Sequence, residues 1–510
     1  MCGIVGLWNA KDDGAVAEAM GRMVHRGPDA EGRHDADEVH LGHRRLSIMD
    51  PAGGDQPILC GETGRAIVAN GEIYNFPTLR EALSARHRFR TRSDSESALH
   101  LYDELTELTA GRLDGMFAFA LTDGPDLYLA RDAIGIKPLY VGRKGDGMVF
   151  ASELKAVSGL VDSIEEFPPG TWYHSRLGYG RFYEVPDRYP EDVDEQEHRR
   201  RLRETLERAV TKRLMSDVPV GAFLSGGLDS SIIAALMRPH VDELHTFSVG
   251  LPGSNDLQAA RLVAEHLDTI HHEYELTAAE IRAKLPEIVY HLESYDQDLV
   301  RSAIPCYFTS RLAAEHVKVI LTGEGADELF AGYSYYKDMN AADEQALHDE
   351  LRRSVSSLHN VNLQRVDRLT MAHSIEGRVP FLDTELIELA QTIPAALKLC
   401  RRPGKPPVEK HILRAACEDL LPAEIVWRDK EQFDEGSGTV DVVDGLADGL
   451  MPEGAWRTYA ERHAEQGLRS AEECAYHKLL CEACPDPDIV LDNVARWADR
   501  PDGVPGTIAT

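Results

Sequence analysis

Three stretches of the sequence hold residue types that can do chemistry. The first is Val220-Gly221-Ala222-Phe223-Leu224-Ser225-Gly226-Gly227-Leu228-Asp229-Ser230-Ser231, an apolar strand leading through a small-residue turn into a helix expected to begin near Ser230. Backbone N–H groups in such a turn, with the positive end of a helix dipole behind them, form a cradle for phosphate oxygens. Gly226 and Gly227 let the backbone approach an anion with no Cβ in the way. Ser225, Ser230 and Ser231 add hydroxyl donors, and Asp229 is placed to hold the magnesium that accompanies a triphosphate. No lysine follows the glycines, so this is not the Gly-x4-Gly-Lys-Ser/Thr phosphate loop. The second is Cys2. A small residue there permits removal of the initiator Met, leaving a thiol and a free α-amine on one residue. An amine with a pKa of about 7.7–8.0 can serve as base for the adjacent nucleophile. The third is Gly323-Glu324-Gly325-Ala326-Asp327-Glu328, which follows a short apolar strand. Carboxylates beside a phosphate loop are costly unless a cation neutralises them. Asp327 with Asp229 is therefore read as a magnesium pair, and Glu324 as a partner for a substrate amine.

The intervening sequence supplies the elements that must position these groups. His25 to Asp29 reads as a turn, and Leu41–Asp50 and Ala66–Asn75 as strands, the second ending in a polar turn. Asn70-Gly71 by itself is equally a tight-turn signal. Thr91 to Glu96 precedes an apolar helix through Leu101, and strands follow at Leu113–Leu121 and Leu127–Asp132. Pro186, Pro190 and a run of acids mark residues 184–196 as a linker, dividing the chain into domains 2–185 and 197–497. Leu202, Leu206, Val210 and Leu214 then give an amphipathic helix. Its basic run His198-Arg199-Arg200-Arg201 reads as a solvated face or an interdomain contact. Strands at Leu244–Gly250, His271–Leu276 and Val317–Gly323 alternate with helices at Asp256–Leu267 and after the capping box Thr277-Ala278-Ala279-Glu280. That alternation argues for a doubly wound parallel sheet. Ser225, Val249 and Thr322 fall at carboxyl ends of its strands, where such sheets bind ligands, which suggests one nucleotide site.

Bulk composition narrows the classes. A chain of 510 residues has length for two or three cores. Lys and Arg total 55 against 86 Asp and Glu, and a net charge of −31 argues against nucleic acid or anionic membrane as a general partner. No apolar run approaches the roughly 18 residues needed to span a bilayer. Eight scattered cysteines and an N-terminus without a basic region suit a cytoplasmic protein.

Taken together, Met1-Cys2-Gly3-Ile4-Val5-Gly6, His25-Arg26-Gly27-Pro28-Asp29, His43-Arg44-Arg45-Leu46-Ser47-Ile48-Met49-Asp50, Asn70-Gly71-Glu72-Ile73-Tyr74-Asn75 and Arg131-Asp132-Ala133-Ile134-Gly135-Ile136-Lys137-Pro138-Leu139-Tyr140 resemble a class II glutamine amidotransferase domain. That resemblance implies an N-terminal αββα Ntn-hydrolase sandwich. It makes Cys2 the nucleophile on the glutamine amide, with the Asn70 side chain and the Gly71 N–H as oxyanion donors. It also implies Arg45 on the substrate carboxylate, and Glu72 and Asp94 on its α-amino group.

The Ser225-Gly226-Gly227-x-Asp229-Ser230-Ser231 turn resembles the pyrophosphate loop of ATP pyrophosphatases. With Gly323 to Tyr333, Met371 to Asp383, Glu409 to Arg414 and Lys430-Glu431-Gln432-Phe433, it is similar to the synthetase half of glutamine-dependent asparagine synthetases, a family related to β-lactam synthetases. This implies a doubly wound C-terminal sheet with added helices, the substrates glutamine, aspartate and ATP, a Mg2+ cofactor and a homodimer. Leu224, Ser225, Gly226, Gly227, Asp229, Ser230, Val249, Thr322 and Gly323 would contact ATP, and Asp229 and Asp327 the metal. Glu324 would serve formation of the β-aspartyl adenylate, and Lys410 would stabilise charge on the phosphates or the intermediate.

One segment departs from the family pattern. Asp298-Leu299-Val300-Arg301-Ser302-Ala303 stands where a Thr-Thr-Ile-Arg-Ala-Ser-like sequence is usual, leaving Arg301 to bind the acceptor carboxylate and the acceptor's identity open. Acceptors other than aspartate, β-lactam closure, and a non-catalytic role are the competing readings. Ammonia is protonated in water at neutral pH, so an enclosed apolar path between the two sites is expected. Cys474, His477, Cys481 and Cys484 share helical spacing, but ligands from one helix do not converge on a tetrahedral zinc. A packed helix face begun by the box Ser470-Ala471-Glu472-Glu473 is the expectation there, with a fraying tail beyond Trp497.

Overall fold

Alternation with a period of two builds the N-terminal half. In the computed structural model, twelve strands precede residue 182: β1 (Cys2–Trp8), β2 (Ala30–Asp35), β3 (Val39–Arg45), β4 (Ile58–Leu59), β5 (Ala66–Ile73), β6 (Gly115–Asp123), β7 (Asp126–Arg131), β8 (Tyr140–Lys144), β9 (Gly147–Ala151), β10 (Ser163–Glu166), β11 (Thr171–His174) and β12 (Gly178–Arg181). The structure describes residues 2–497 except 37, 340–342, 403, 432, 440–441, 443–449 and 452–453, so Gln432 and the tail beyond Trp497 lie outside the described residues. The strands form two antiparallel six-stranded sheets, ordered β10-β8-β9-β1-β3-β2 and β12-β11-β7-β6-β5-β4.

Ile4, Leu41, Val68, Ala118, Ala120 and Leu129 meet between the sheets. The alternate residues Val5 and Leu7 face outward onto Val16, Ala19 and Met20 of the helix Ala15–Arg22. Ile67, Phe117 and Phe119 face outward on the other side, onto Ala98, Leu99 and Tyr102 of the helix Ser95–Leu105. Helix, sheet, sheet and helix are thus stacked in four layers, the expected sandwich.

The second half holds β13 (Val220–Phe223), β14 (His245–Gly250), β15 (Ile270–Glu275), β16 (Val319–Leu321) and β17 (Glu376–Arg378), all parallel in the order β15-β14-β13-β16-β17. Val319 and Leu321 pack with Ile232 and Val263 on one face, while Ile320 packs with Phe247 and Ala313 on the other. Both faces are covered, as a parallel sheet requires. The helix after the phosphate loop begins at Leu228, two residues earlier than expected, because Gly227 holds the extended conformation of an N-cap.

The capping box at Thr277 is complete, with both arms formed. The one expected at Ser470 is only half formed. Ser470 accepts from Glu473 N, but the Glu473 carboxylate is drawn to the Arg469 N–H and guanidinium instead. Cys474 faces the Trp456 carbonyl, and His477 bonds the Tyr459 hydroxyl. The run Arg199-Arg200-Arg201 is a solvated face laced to Glu191, Glu195, Glu197 and Glu204, while His198 is buried. Among the described residues no helix is long and apolar enough to cross a membrane.

Two features bind the halves together. One apolar cluster contains Leu46, Ile48, Tyr74, Met116, Ile134 and Ile136 together with Leu224, Leu228, Val379 and Phe381. Beside it runs a buried charge network. Arg26 contacts Glu153 at 2.9 Å and Asp367 at 2.7 Å, and Arg368 contacts Glu293 at 2.8 Å. Removing one partner of such a buried pair typically costs about 3–5 kcal/mol, because it leaves a buried charge uncompensated.

Candidate active site

The same period of two aims the first cluster of functional groups. Cys2 lies in register with Ile4 and so points into the gap between the sheets, as Asn70 and Glu72 do in register with Val68. Cys2 pairs with Arg45 across the β1–β3 ladder. Apolar residues thus fill the middle of the sandwich, and polar ones meet at its end. The Cys2 N–H donates to Asn70 Oδ1 at 2.9 Å, which turns the Asn70 Nδ2 group away. That Nδ2 is buried and bonds to nothing among the described residues. Gly71 has φ 140°, and a Cβ there would lie 1.9 Å from the Met116 carbonyl oxygen, so only glycine fits. Burial raises the Cys2 thiol pKa, while the Leu46 N–H and Arg45 pull it the other way.

Arg45 is buried with its guanidinium on the 49–55 loop, at 2.6 Å from Asp55 Oδ1 and 2.8 Å from the Asp50 carbonyl. Asp55 is 74% exposed, so a ligand carboxylate can take its place on the arginine. Glu72 and Asp94 are both buried and both raised. For Glu72 the causes are burial, then Asp94 and Glu376. For Asp94, burial lifts the carboxyl to about 6 against the Ile73 and Ser95 N–H groups. Arg378 stands 3.6 Å from Glu72, and two carboxylates side by side leave room for a second cation, which a substrate ammonium supplies.

The raised Asp94 value has a definite sign. Its contribution to stability is full below about pH 4 and is lost as pH rises through about 6. For substrate binding the direction is opposite, because only the ionised form grips an ammonium. The acid limb of kcat/KM for glutamine is expected to steepen below about pH 6, measured as glutamate release. Asp94→Asn should lose that extra steepness. It should also lower kcat/KM by about 1.5–3 kcal/mol, roughly 10- to 150-fold.

The second cluster lines a cavity at the carboxyl ends of β13, β14 and β16, where Leu224, Ser225, Asp229, Val249, Thr322 and Glu324 meet. Gly227, Ser230, Gly323, Asp327 and Lys410 line it as well. Gly226, at φ 73°, shapes the loop from behind, its backbone against the helix Asn255–Leu267. Lys410 Nζ bridges the two aspartates, at 2.5 Å from Asp229 Oδ2 and 2.7 Å from Asp327 Oδ1. Lys430 Nζ stands 3.0 Å from Asp327 Oδ2. Burial would lift the Asp327 carboxyl, but Lys410 and Lys430 outweigh it and hold it below the ordinary carboxylate range. Asp229 Oδ1 is buried and makes no hydrogen bond among the described residues. That idle oxygen and the paired carboxylates are a donor set that fits a hard divalent cation.

Lys410 adopts φ 54°, a left-handed backbone uncommon for a residue with a side chain and concentrated at functional sites. Its chain runs past Gly332, where a Cβ would come within 2.2 Å of Lys410 Cε and 1.9 Å of Asp327 Oδ1.

Arg301 stands apart from Glu324, the other residue expected to meet the acceptor. Its guanidinium turns to Glu472, at 3.0 Å and 2.5 Å, and does not line the cavity. Asp298, Leu299 and Ser302 occupy the helix face that does, and position 301 falls beside it. The cation facing Glu324 is Arg365, with Nη2 2.5 Å from Oε1. Sequence reading assigned no role to Arg365, nor to Lys430, Tyr333 or Trp497, which line the same cavity. Lys430 and Tyr333 stood in stretches quoted above for their resemblance, whereas Arg365 carried no such signal.

Comparison with known proteins agrees with this geometry. The model of a family described as glutamine amidotransferase domain matches residues 1–169, and that of asparagine synthase matches 201–343 and 338–462. The chain is 42% identical over 472 residues to asparagine synthetase [glutamine-hydrolyzing] 2 of Arabidopsis thaliana, covering 88% of this chain and 81% of that one. It is 38% identical over 514 residues to asparagine synthetase B [glutamine-hydrolyzing] of Escherichia coli K12, covering 96% and 92%. A relative from Asparagus officinalis is 40% identical over 470 residues, covering 88% and 79%.

Proposed function

We propose, from the premise that this chain belongs to the glutamine-hydrolysing asparagine synthetases, that each named residue plays the following part. The enzyme hydrolyses glutamine, passes the ammonia to an aspartyl adenylate made from aspartate and ATP, and releases asparagine, glutamate, AMP and pyrophosphate. What best supports this assignment is the continuous apolar cluster. It reaches from Leu46 and Met116 at the Cys2 end of the sandwich to Leu224 and Leu228 at the phosphate loop.

At the first site the Cys2 α-amine takes the thiol proton, and the thiolate attacks the amide carbon. Asn70 Nδ2 and the Gly71 N–H receive the developing oxyanion; the protonated α-amine then gives its proton to the amide nitrogen, and collapse expels ammonia and leaves a glutamyl thioester for water to hydrolyse. Arg45 holds the substrate carboxylate, and Glu72 and Asp94 hold its ammonium. Ammonia leaves along the apolar cluster, where an unprotonated amine is favoured over an ammonium ion.

At the second site the phosphate loop, with Ser225, Gly226, Gly227 and Ser230, cradles ATP, and Leu224, Val249, Thr322 and Gly323 enclose it. Asp229 and Asp327 would hold Mg2+, which would supply positive charge to screen the pyrophosphate leaving group. The aspartate side-chain carboxylate attacks the α-phosphorus, Lys410 steadies the charge, and ammonia then displaces AMP from the adenylate. Glu324, fixed by Arg365, takes a proton from the attacking nitrogen. The same reading places domains at 2–185 and 197–497 and makes the enzyme a cytoplasmic homodimer.

The test is product analysis by mass spectrometry with glutamine, ATP, magnesium and a panel of carboxylates. Asparagine formed in equal amount with AMP supports the assignment. Glutamate released without asparagine, or a different amide formed, overturns aspartate as the acceptor.

A further inference from the structure

Outside both sites, Cys60, His100 and Asp103 come together beneath the helical layer that covers the second sheet. Each offers one ligand atom, and the three atoms lie within 4.8 Å of one another. Cys60 directly follows β4, and His100 and Asp103 sit one turn apart on the helix Ser95–Leu105. His100 is 2% exposed, yet its Nδ1 makes no hydrogen bond among the described residues. A buried imidazole left in this way forfeits about 1–3 kcal/mol per idle polar group.

The groups around His100 are arranged as they would be around a metal ligand. Nε2 lies 3.4 Å from Glu96 Oε1, and Nδ1 lies 3.9 Å from Asp103 Oδ2. A metal-bound histidine ordinarily turns its other nitrogen to a carboxylate, which fixes the ring. Glu96 is 1% exposed and pinned in that position by the N–H groups of Arg90 and Thr91. Arg65 occupies Asp103 Oδ1 and leaves Oδ2 to face the cluster. On the other side His87 brings Nδ1 to 3.6 Å from Asp103 Oδ2, with its ring 5.0 Å from that of His100.

We propose that Cys60 Sγ, His100 Nδ1, Asp103 Oδ2 and His87 Nδ1 form a binding site for a thiophilic divalent cation of the Zn2+ type. One thiolate, two imidazoles and one carboxylate arrive from three separate segments, so they can close around a tetrahedral ion. Small side-chain movements draw the donors to about 2.0–2.3 Å from the metal. As the Sγ–metal bond forms, the Cys60 S–H bond breaks and its proton passes to solvent. With four protein ligands the site is closed, and its role is structural. It fastens the end of β4 to the helix whose first turn follows Asp94. The mixed sulfur and nitrogen donors select against magnesium, which prefers oxygen.

The probe is Co2+, added to metal-free full-length protein. Wild type should bind with a thiolate-to-cobalt charge-transfer band in the near ultraviolet, bleached by an equivalent of Zn2+. Cys60→Ser should abolish the band, His100→Gln should weaken cobalt affinity at least about tenfold, and Cys481→Ser should change neither. A wild-type spectrum without the band overturns the proposal, as does a band that survives Cys60→Ser or vanishes in Cys481→Ser. Should Cys60→Ser not fold, His100→Gln decides, and unchanged cobalt affinity in that variant overturns the site.

Discussion

A Cys2→Ala enzyme is expected to lose glutamine-driven asparagine synthesis by on the order of 10^4-fold or more, the usual scale for removing a nucleophile. Synthesis from added ammonia should continue at the wild-type rate. The expectation follows from where Cys2 lies. Its side chain enters the gap between the two antiparallel sheets, whereas the phosphate loop belongs to the parallel sheet. Removing one sulfur atom leaves Asn70, Glu72 and Arg45 in place, so glutamine still binds and is not turned over. The measurement is parallel assay of asparagine from glutamine and from ammonium chloride. Loss of both would mean that Cys2 serves the fold or the coupling of the sites rather than the chemistry at one of them.

The complementary variant is Lys410→Met, for which asparagine synthesis from either nitrogen source should fall by about 10^2–10^3-fold, the scale for removing one preorganised electrostatic donor. Glutamate release should persist. Lys410 forms ion pairs with both Asp229 and Asp327, and Met keeps most of its length without its charge. Lys410→Arg should not restore activity. The Gly332 backbone lies too close to Lys410 Cε for a broader planar group to follow the same route. Pyrophosphate release and glutamate release measured on one preparation separate the effects. Equal loss of both would place Lys410 in the scaffold.

Groups that depend on local pattern were legible in the sequence. Cys2, Asn70 and Glu72 are aimed by strand alternation, and the loop from Ser225 to Ser230 by its strand–turn–helix context. Groups placed by long-range pairing were not. The helix Asn362–Met371 carries an apolar face of Leu363, Val366 and Leu369, yet its polar residues are buried as well. They are buried because Arg365 reaches Glu324, Asp367 reaches Arg26 and Arg368 reaches Glu293. Hydrophobic periodicity marks the first face and has nothing to report for the second, whose neighbours are charged. The partner of Arg301 was equally out of reach of local pattern, because Glu472 is 171 positions away and was read only as part of a helix cap. The shortened box at Ser470 shows the same competition on a smaller scale, a local pattern overruled by a neighbouring arginine.

The bond between Arg26 and Asp367 spans 341 positions of sequence and closes across the seam between the two halves. Any exchange of halves between relatives, joined at the obvious linker, would inherit one member of that pair from each parent. A mismatch there would leave a fully buried guanidinium or carboxylate without its partner across the seam, beside the apolar cluster that ammonia is proposed to follow. Each half could then keep its own reaction while the hybrid leaked its nitrogen. The seam is therefore where shuffled descendants of this lineage would be weeded out, and where a designer recombining them should choose both parents' residues first.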